Sequence, residues 1–383
     1  MIRTVAVAAI AALLVLPGCK TVTGWFGPAA PKQKPAELVS FQPKANARVL
    51  WQGSVGAAQR NAFYPAVSGN TVYATGASGQ IAAFNGASGA QQARFEAGVP
   101  IAGGVGAGAG LVLVGTVRGE VLAFEPSGKT AWRAQLSGEV LSPPVVAEGV
   151  VVVRTGDGRI HGLNAADGKS RWVYQRALPA LSVRSFSGVT VERGAVFAGF
   201  PGGRLVAIAL ANGNVGWESV VALPRGATEL ERVTDVAGLP AVDGGQVCAV
   251  AFQGRAACFD AQRGDTLWAR DASSIAGLGA DARSLYYTDD RSAVIALDRR
   301  TGASLWKQDR LDGRWVTAPL AIGRFVVVGD FQGQVHVLSR EDGSFVARVA
   351  TDGSAILVPP VALDFSTFVV QTRNGGVFAI NLQ

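Results

Sequence analysis

Charge is scarce in this 383-residue chain: Asp, Glu, Lys and Arg make up 16% of it, against 49% hydrophobic residues. A chain remains unfolded when it combines high charge with low hydrophobicity, so no long disordered run is expected beyond residue 46. There are only 2 histidines, and no Ser-His-Asp arrangement can be read around either. There are 3 cysteines, none adjacent to another. The formal net charge is +7, but Lys20, Lys32, Lys34, Lys44 and Arg48 gather near the start. The basicity is therefore partly a property of a tail, either resting on anionic headgroups or simply solvated. No basic surface interleaved with aromatics argues for nucleic acid. What the chain does hold is 49 glycines, which with so much apolar residue implies many short strands punctuated by turns, not long helices.

Tryptophan is also scarce, at 8 residues, yet five of the eight stand four residues after a glycine. The pairs are Gly128 and Trp132, Gly168 and Trp172, Gly213 and Trp217, Gly264 and Trp268, Gly302 and Trp306. Successive tryptophans of this set are 40, 45, 51 and 38 residues apart. A period near forty with strand-like patterning marks a propeller or solenoid.

Each repeat reads as four strands. In one copy, Pro143 to Ala147 leads through Glu148-Gly149 to the β-branched run Val150 to Arg154. Asp157-Gly158 turns into Arg159 to Leu163, and Asp167-Gly168 leads to the outer strand with Trp172. Such Asp-Gly pairs between apolar runs are hairpin signals, because positive φ is needed there. The second strand recurs eight times, but the last copy stops at Gln383 before any outer strand. Arg48-Val49-Leu50-Trp51, with no repeat in front of it, supplies the missing piece and hides two strand edges. The fold class is thus all-β: an eight-bladed β-propeller of four-stranded antiparallel blades, its last blade closed by an N-terminal strand. Trp51, Trp132, Trp172, Trp217, Trp268 and Trp306 form a structural set locking blade to blade. Blades one and seven have Ala93 and Ala347 at that place, where neighbouring Phe95 and Phe345 could fill part of the gap.

Ahead of the repeats, Arg3 and the apolar stretch Val5 to Leu16 read as a secretory signal, too short for a transmembrane helix. Leu16-Pro17-Gly18-Cys19 resembles a bacterial lipobox. That resemblance implies that Cys19 is the first mature residue and carries acyl chains, each buried methylene contributing about 0.8 kcal/mol to membrane attachment. Ordinary cleavage near a chance cysteine is the alternative. Lys20, where an aspartate would suggest retention at the inner membrane, points to the periplasmic face of the outer membrane. The domains read as a signal peptide over 1–18, a Pro/Lys-rich tether over 19–46 and the propeller over 47–383. Trp25 and Phe26 lie close to the anchor, either at the headgroup interface or as exposed linker aromatics.

The repeat resembles that of quinoprotein dehydrogenases, so a periplasmic oxidoreductase using pyrroloquinoline quinone is the alternative function. Those enzymes need a calcium cluster of acidic and amide side chains with a catalytic aspartate, and many have adjacent cysteines. No such cluster is legible here, so the repeat signals fold rather than cofactor, and no cofactor or metal is expected. His161 and His336 share a register that other blades fill with apolar residues, which makes it a packing position. Cys248 and Cys258 flank the Gln253-Gly254 turn on adjacent strands, as a cross-strand disulfide or as two buried thiols.

The longer spacings after Trp172 and Trp217 place extra residues in two connections, Tyr174 to Ser187 and Val220 to Ala241. Both open on one rim, side by side, where binding is usually found on a rigid scaffold. With the lipobox, the tether and the eight repeats, these loops make the mature chain resemble the BamB family, lipoprotein subunits of the outer-membrane β-barrel assembly machinery. The most specific parts are Leu178-Pro179-Ala180-Leu181-Ser182-Val183-Arg184 and Thr228-Glu229-Leu230-Glu231-Arg232-Val233-Thr234-Asp235-Val236. The resemblance implies a non-enzymatic, lipid-anchored scaffold that binds a periplasmic domain of the barrel-forming subunit BamA and assists β-barrel insertion. Unfolded β-barrel substrates are a second partner class, through exposed strand edges. The family's aliphatic pair and arginine fall on Leu181, Val183 and Arg184, and one of its two acidic residues on Asp235. The other falls on Ala237, and Ser185 stands where the family usually has glycine. Asp235 either steadies Arg184 or touches the partner, and Arg184 is either an anchor or a solvated loop charge.

Overall fold

A computed structural model describes residues 34–383, with Ser185 and Ser187 left aside. The lipobox with Cys19, and Trp25 and Phe26, lie outside the described residues. Pro35–Gln383 is one compact unit. Among the described residues the strands form eight four-stranded antiparallel sheets, the blades of a propeller. The innermost strands of consecutive blades pack together, and those of blades eight and one meet, closing the ring.

Blade three shows how sequence makes a blade. Its strands are Val145–Ala147, Val150–Arg154, Arg159–Asn164 and Ser170–Gln175. The β-branched second strand is buried on both faces from Val150 to Val153, as a strand between blades must be. In the outer strand only Trp172 is buried. A bulge between Gly162 and Leu163 re-aims that strand beside the tryptophan, and the outer strands of the other blades carry the same irregularity.

The glycine and the tryptophan of one frame serve different contacts. Each indole reaches forward to the next blade's outer turn, where its Nε1–H donates to a carbonyl oxygen. Trp51 donates to Gly86 at 2.6 Å, Trp132 to Ala165 at 2.8 Å, and Trp172 to Leu210 at 2.8 Å. Trp217 donates to Ala261 at 3.0 Å, Trp268 to Arg299 at 2.7 Å, and Trp306 to Arg340 at 3.0 Å. The same indole lies over that turn's glycine. At Gly168 the backbone has φ 72°, and a Cβ would meet Trp132 at 2.5 Å, so no other residue fits. In blade one, Phe95 takes over the covering of Gly128 and packs on Phe124 at 5.3 Å.

Blade eight is built from Val361–Ala362, Thr367–Gln371, Gly376–Leu382 and the N-terminal Ala47–Ser54. Trp51 sits opposite Ala379, and Asn46 and Gln383 exchange main-chain hydrogen bonds at 3.0 and 2.9 Å. Because Gly376–Leu382 and Ala47–Ser54 are neighbours in the sheet but not consecutive strands, no outer turn joins them in blade eight for an indole to cover. That accounts for Ala347 in blade seven.

The sequence places the start of the propeller at 47, and the first of its strands is Ala47–Ser54, while the compact unit also takes in the residues from Pro35. Residues 36–46 are bound to blade seven. The Ala36 N–H donates to Asp312 O at 2.9 Å, and Lys44 N–H to Val346 O at 2.9 Å. Phe41 stacks on Phe345 at 5.5 Å, and the outer strand Phe345–Ala350 is buried where other outer strands are exposed. Two arginines lash this strap down: Arg314 Nη1 donates to Ala36 O at 2.9 Å and Arg348 Nη1 to Val39 O at 3.1 Å. Behind them lies a buried network. Asp330 accepts from Arg314 Nε at 2.7 Å and from His336 Nε2 at 3.0 Å, while His336 Nδ1 accepts from Arg348 Nε at 3.2 Å. His336 therefore does more than pack. His161, by contrast, meets only Thr155 Oγ1, at 3.4 Å.

Cys248 and Cys258 are cross-strand neighbours in blade five, joined as a disulfide and fully buried.

Candidate functional site

The two long connections run from Ser170–Gln175 to Thr190–Glu192 and from Val215–Val220 to Ala241–Asp243. They leave the propeller on the rim that carries each blade's turn between second and third strands. The Arg176 N–H donates to Gly158 O at 3.1 Å, and its guanidinium pairs with Glu218 of blade four at 2.5 Å. The first loop therefore starts from a fixed root.

The second loop contains a reciprocal cap. Glu231 N–H donates to Thr228 Oγ1 at 3.2 Å, and Glu231 Oε2 accepts from the Thr228 N–H at 3.1 Å and the Ala227 N–H at 2.8 Å. Thr228-Glu229-Leu230-Glu231 is thus a capping box folding one tight turn. The main-chain hydrogen bonds from Thr228 and Ala227 hold the Glu231 carboxyl below its ordinary range. The Gln253 amide nitrogen, on the neighbouring blade-five turn, donates to Glu231 O at 2.9 Å and Val233 O at 3.1 Å. Leu230, at the crest of the loop, is 72% exposed, and Leu223 is exposed before it.

Asp235 joins the two loops. Its Oδ2 accepts from the Val183 N–H at 2.5 Å, and its Oδ1 from the Gly202 N–H at 3.2 Å. Its own main chain bridges Pro201, and its carbonyl accepts from the Phe252 N–H at 2.8 Å. Asp235 is only 2% exposed. Burial pushes its carboxyl above the ordinary range, against the opposing pull of the Val183 and Gly202 N–H groups and the Arg154 charge. The sequence leaves two roles open for it, steadying Arg184 or touching a partner. In the structure it holds the main chain of the first loop, one residue before Arg184.

Arg184 is steadied by another group. Its Nη2 pairs with Glu139 Oε2 at 3.2 Å, and its guanidinium lies 5.9 Å from the Phe186 ring centroid. The side chain remains 63% exposed, held at a defined place but open to solvent. Leu178 and Leu181 are exposed beside it, and Val183 is half-buried. Between the loops lies a cleft of about 210 Å³, lined among others by Glu139, Arg154, Val183, Arg184, Asp235 and Ala237. Arg154 sits over the Phe200 ring at 5.1 Å. Burial pushes its pKa down to about 10, opposed by the Asp235 charge.

Leu181, Val183, Arg184 and Asp235 are therefore all at one site. Sequence reasoning missed Glu139, in an ordinary-length connection between blades two and three, and Arg154, which ends a β-branched run like any strand. The chemistry that the cleft offers is that of recognition: an exposed guanidinium between aliphatic side chains over a charged floor. Among the described residues, no group of three or more His, Cys, Asp or Glu side chains is arranged to hold a metal.

A family model described as outer membrane protein assembly factor BamB matches residues 77–308. The outer membrane protein assembly factor BamB of Nitrosomonas eutropha is 44% identical over 392 aligned residues, covering 100% of this chain and 96% of that protein. The crystal structure of BamB from Moraxella catarrhalis aligns with a TM-score of 0.80 at 26% identity, over 88% of this chain and 100% of that one. A quinohemoprotein alcohol dehydrogenase from Pseudomonas putida aligns with a TM-score of 0.70 at 13% identity, over 91% of this chain and 78% of that one, a likeness of fold alone.

Proposed function

This chain belongs to the outer membrane protein assembly factor BamB family, and from that membership we propose that it is a lipid-anchored scaffold that docks the barrel-forming subunit BamA through the cleft between its two long loops. The observation that carries the docking site is Arg184: solvent-exposed, yet held by Glu139 and Phe186, and flanked by exposed leucines. A side chain fixed before binding loses little entropy on binding, which favours affinity. Asp235, nearly without surface of its own, works through the main chain of Val183. It is a positioning residue for the apolar pair and the arginine.

The scaffold reading needs no catalytic group, and the quinoprotein likeness is one of fold alone. Anchoring through Cys19 places the propeller at the periplasmic face of the outer membrane. Palmitate incorporated by the wild type and lost in Cys19→Ser is the expected result for the anchor.

The docking site is tested by capturing BamA with the wild type and with Arg184→Ala. Capture should be lost in the variant while the melting temperature stays unchanged. Equal capture by both proteins would remove the site, and no capture by either would remove BamA as the partner.

A further inference from the structure

Trp315 is the one tryptophan among the described residues that covers no turn. It lies in the connection between blades six and seven, on the same rim as the cleft, and is 80% exposed. It is also held in an unfavourable backbone conformation, with φ 51°, where a bulky side chain is rarely found. The device that holds it is specific. Ser292 itself has a left-handed backbone, φ 73°, and is buried. Its Oγ accepts from the Trp315 N–H at 2.9 Å and the Val316 N–H at 3.5 Å. Two strained residues back to back thus keep an indole in water, where it contributes nothing to the core. Strain kept in this way is a pointer to function.

Neighbouring chain supplies further apolar surface. Arg314, next to Trp315, receives the Phe331 N–H on its carbonyl at 3.2 Å and donates to Ala36 O, two residues before exposed Leu38. Ile356 donates to Asp330 O at 3.0 Å, which sets exposed Leu357 on the same rim. Arg291 and Arg310 are exposed close by in sequence and structure, with Glu37 and Asp309 as the acidic neighbours. Trp, Leu and Arg around a rim are the composition of a surface that meets lipid headgroups.

The chain leading to the anchor identifies the occupant. The strap reaches this rim at Ala36, beside the residue that precedes Trp315. From Lys34 back to Cys19 there are only 15 peptide links. A chain of that length separates its ends by no more than about 50 Å even when fully extended. The anchor therefore keeps this rim within that reach of the bilayer, and Trp315 is exposed next to Arg314, which holds the tether root at Ala36.

Resting on the reading that Cys19 is acylated, we infer that Trp315, with Leu38 and Leu357, is a membrane-contact surface that seats in the headgroup region of the anchoring leaflet. Blades three and four lie across the ring from blade seven. An edge contact there leaves the cleft open to a protein partner, and fixes the tilt at which the cleft is presented.

The mature lipoprotein, reconstituted in vesicles of phosphatidylethanolamine and phosphatidylglycerol, provides the test. Trp315→Cys carries the sole free thiol once Cys19 is acylated and Cys248 and Cys258 are joined, so it takes a nitrobenzoxadiazole label. The control is Phe365→Cys, 86% exposed in a turn on the opposite rim. Flotation with vesicles reports the anchor, and the label reports the contact. Flotation with a blue-shifted, iodide-protected label at 315, but not at 365, supports the inference. Flotation with both labels equally aqueous overturns it and leaves the anchor standing. Absence of flotation overturns the anchor and the inference with it. A 315 label that changes only after BamA is added assigns the surface to protein and overturns the lipid contact. As a second variant, Trp315→Gly suits the left-handed backbone and should keep the melting temperature. In a Trp25→Phe background it should also lose the quenching of intrinsic fluorescence by brominated phospholipid that the parent shows; unchanged quenching would overturn the inference.

Discussion

The Asp235 carboxylate accepts a hydrogen bond from the Val183 main-chain N–H at 2.5 Å, across 52 residues of sequence. Through that bond a buried residue of one loop sets the position of an exposed arginine in another. Asp235→Ala leaves the Val183 and Gly202 N–H groups unpaired and Arg154 without its nearest counter-charge. The expected cost is about 1–3 kcal/mol of stability, read from the urea midpoint. BamA capture should fall about as far as in Arg184→Ala, although Asp235 has almost no surface to offer. Asp235→Asn retains one acceptor and should lie between. Undiminished capture by the alanine variant would show that the loops do not need this bond.

The tryptophan lock predicts coupling between blades. Trp172→Ala should cost about 3–5 kcal/mol. Trp172→Phe, which keeps most of the burial but loses the bond to Leu210 O, should cost about 1 kcal/mol for that bond plus a smaller packing loss. Gly213→Ala puts a methyl 2.8 Å from the same indole on a backbone of φ 76°. In the double variant Trp172→Ala with Gly213→Ala, the indole is gone and the methyl has room. The two costs should then sum to about 1–2 kcal/mol less than additive. Strict additivity in denaturant unfolding would mean that glycine and indole do not meet.

Cys248 and Cys258 close a loop of ten residues. On chain entropy, removing the bond should cost about 3 kcal/mol, and changing one cysteine or both should cost about the same. The propeller without residues 1–33, unfolded in guanidinium without reductant, should show no thiol reactive to iodoacetamide by mass. Two alkylated cysteines under those conditions would contradict the bond.

The blades were legible because their signals are local. A glycine at a positive-φ turn, a β-branched run and an indole at fixed offset each act within a few residues, and ring closure follows from counting them. The same counting found the gap at Ala347, but its reason, two neighbouring strands of blade eight that no turn joins, needed the assembled ring. The two loops were legible as extra length. Glu139 was not, since its connection has ordinary length and its role depends on Arg184, 45 residues away. The strap reads as part of the tether because it continues a Pro- and Lys-rich run and has no apolar period of its own. Its partners, Arg314 and Arg348, are 278 and 309 residues distant, and such contacts leave no periodic trace.

His336 makes that strap sensitive to acid. Burial lowers its pKa below the ordinary 6.5; Asp330 pulls the other way, and the charges of Arg348 and Arg314 add to the lowering. The folded state then binds fewer protons than the unfolded chain below 6.5, so stability is full above that value and is lost as pH falls through the folded pKa. For Asp330, burial works upward, but hydrogen bonds from His336, the Gln334 N–H and Arg314 hold it below the ordinary 3.8. Its contribution disappears only in a second, more acidic window. Once His336 is protonated, its Nδ1 can no longer accept from Arg348 Nε, and Arg348 is the residue that holds Val39 O and lies 5.0 Å from the Phe41 ring centroid. Moving from about pH 7.5 to about 5.5 should therefore lower the urea midpoint of the wild type, and further acidification through the folded pKa should lower the hydrogen-exchange protection factors of residues 39–45, taken relative to the intrinsic exchange rate at each pH. His336→Gln, which can donate to Asp330 and accept from Arg348 but does not titrate, should be less stable at neutral pH and show a flatter pH slope. His161, whose pKa burial also lowers, retains its own share of the slope in both proteins. Parallel slopes for the two proteins would place the acid sensitivity elsewhere and leave the strap fixed at every pH.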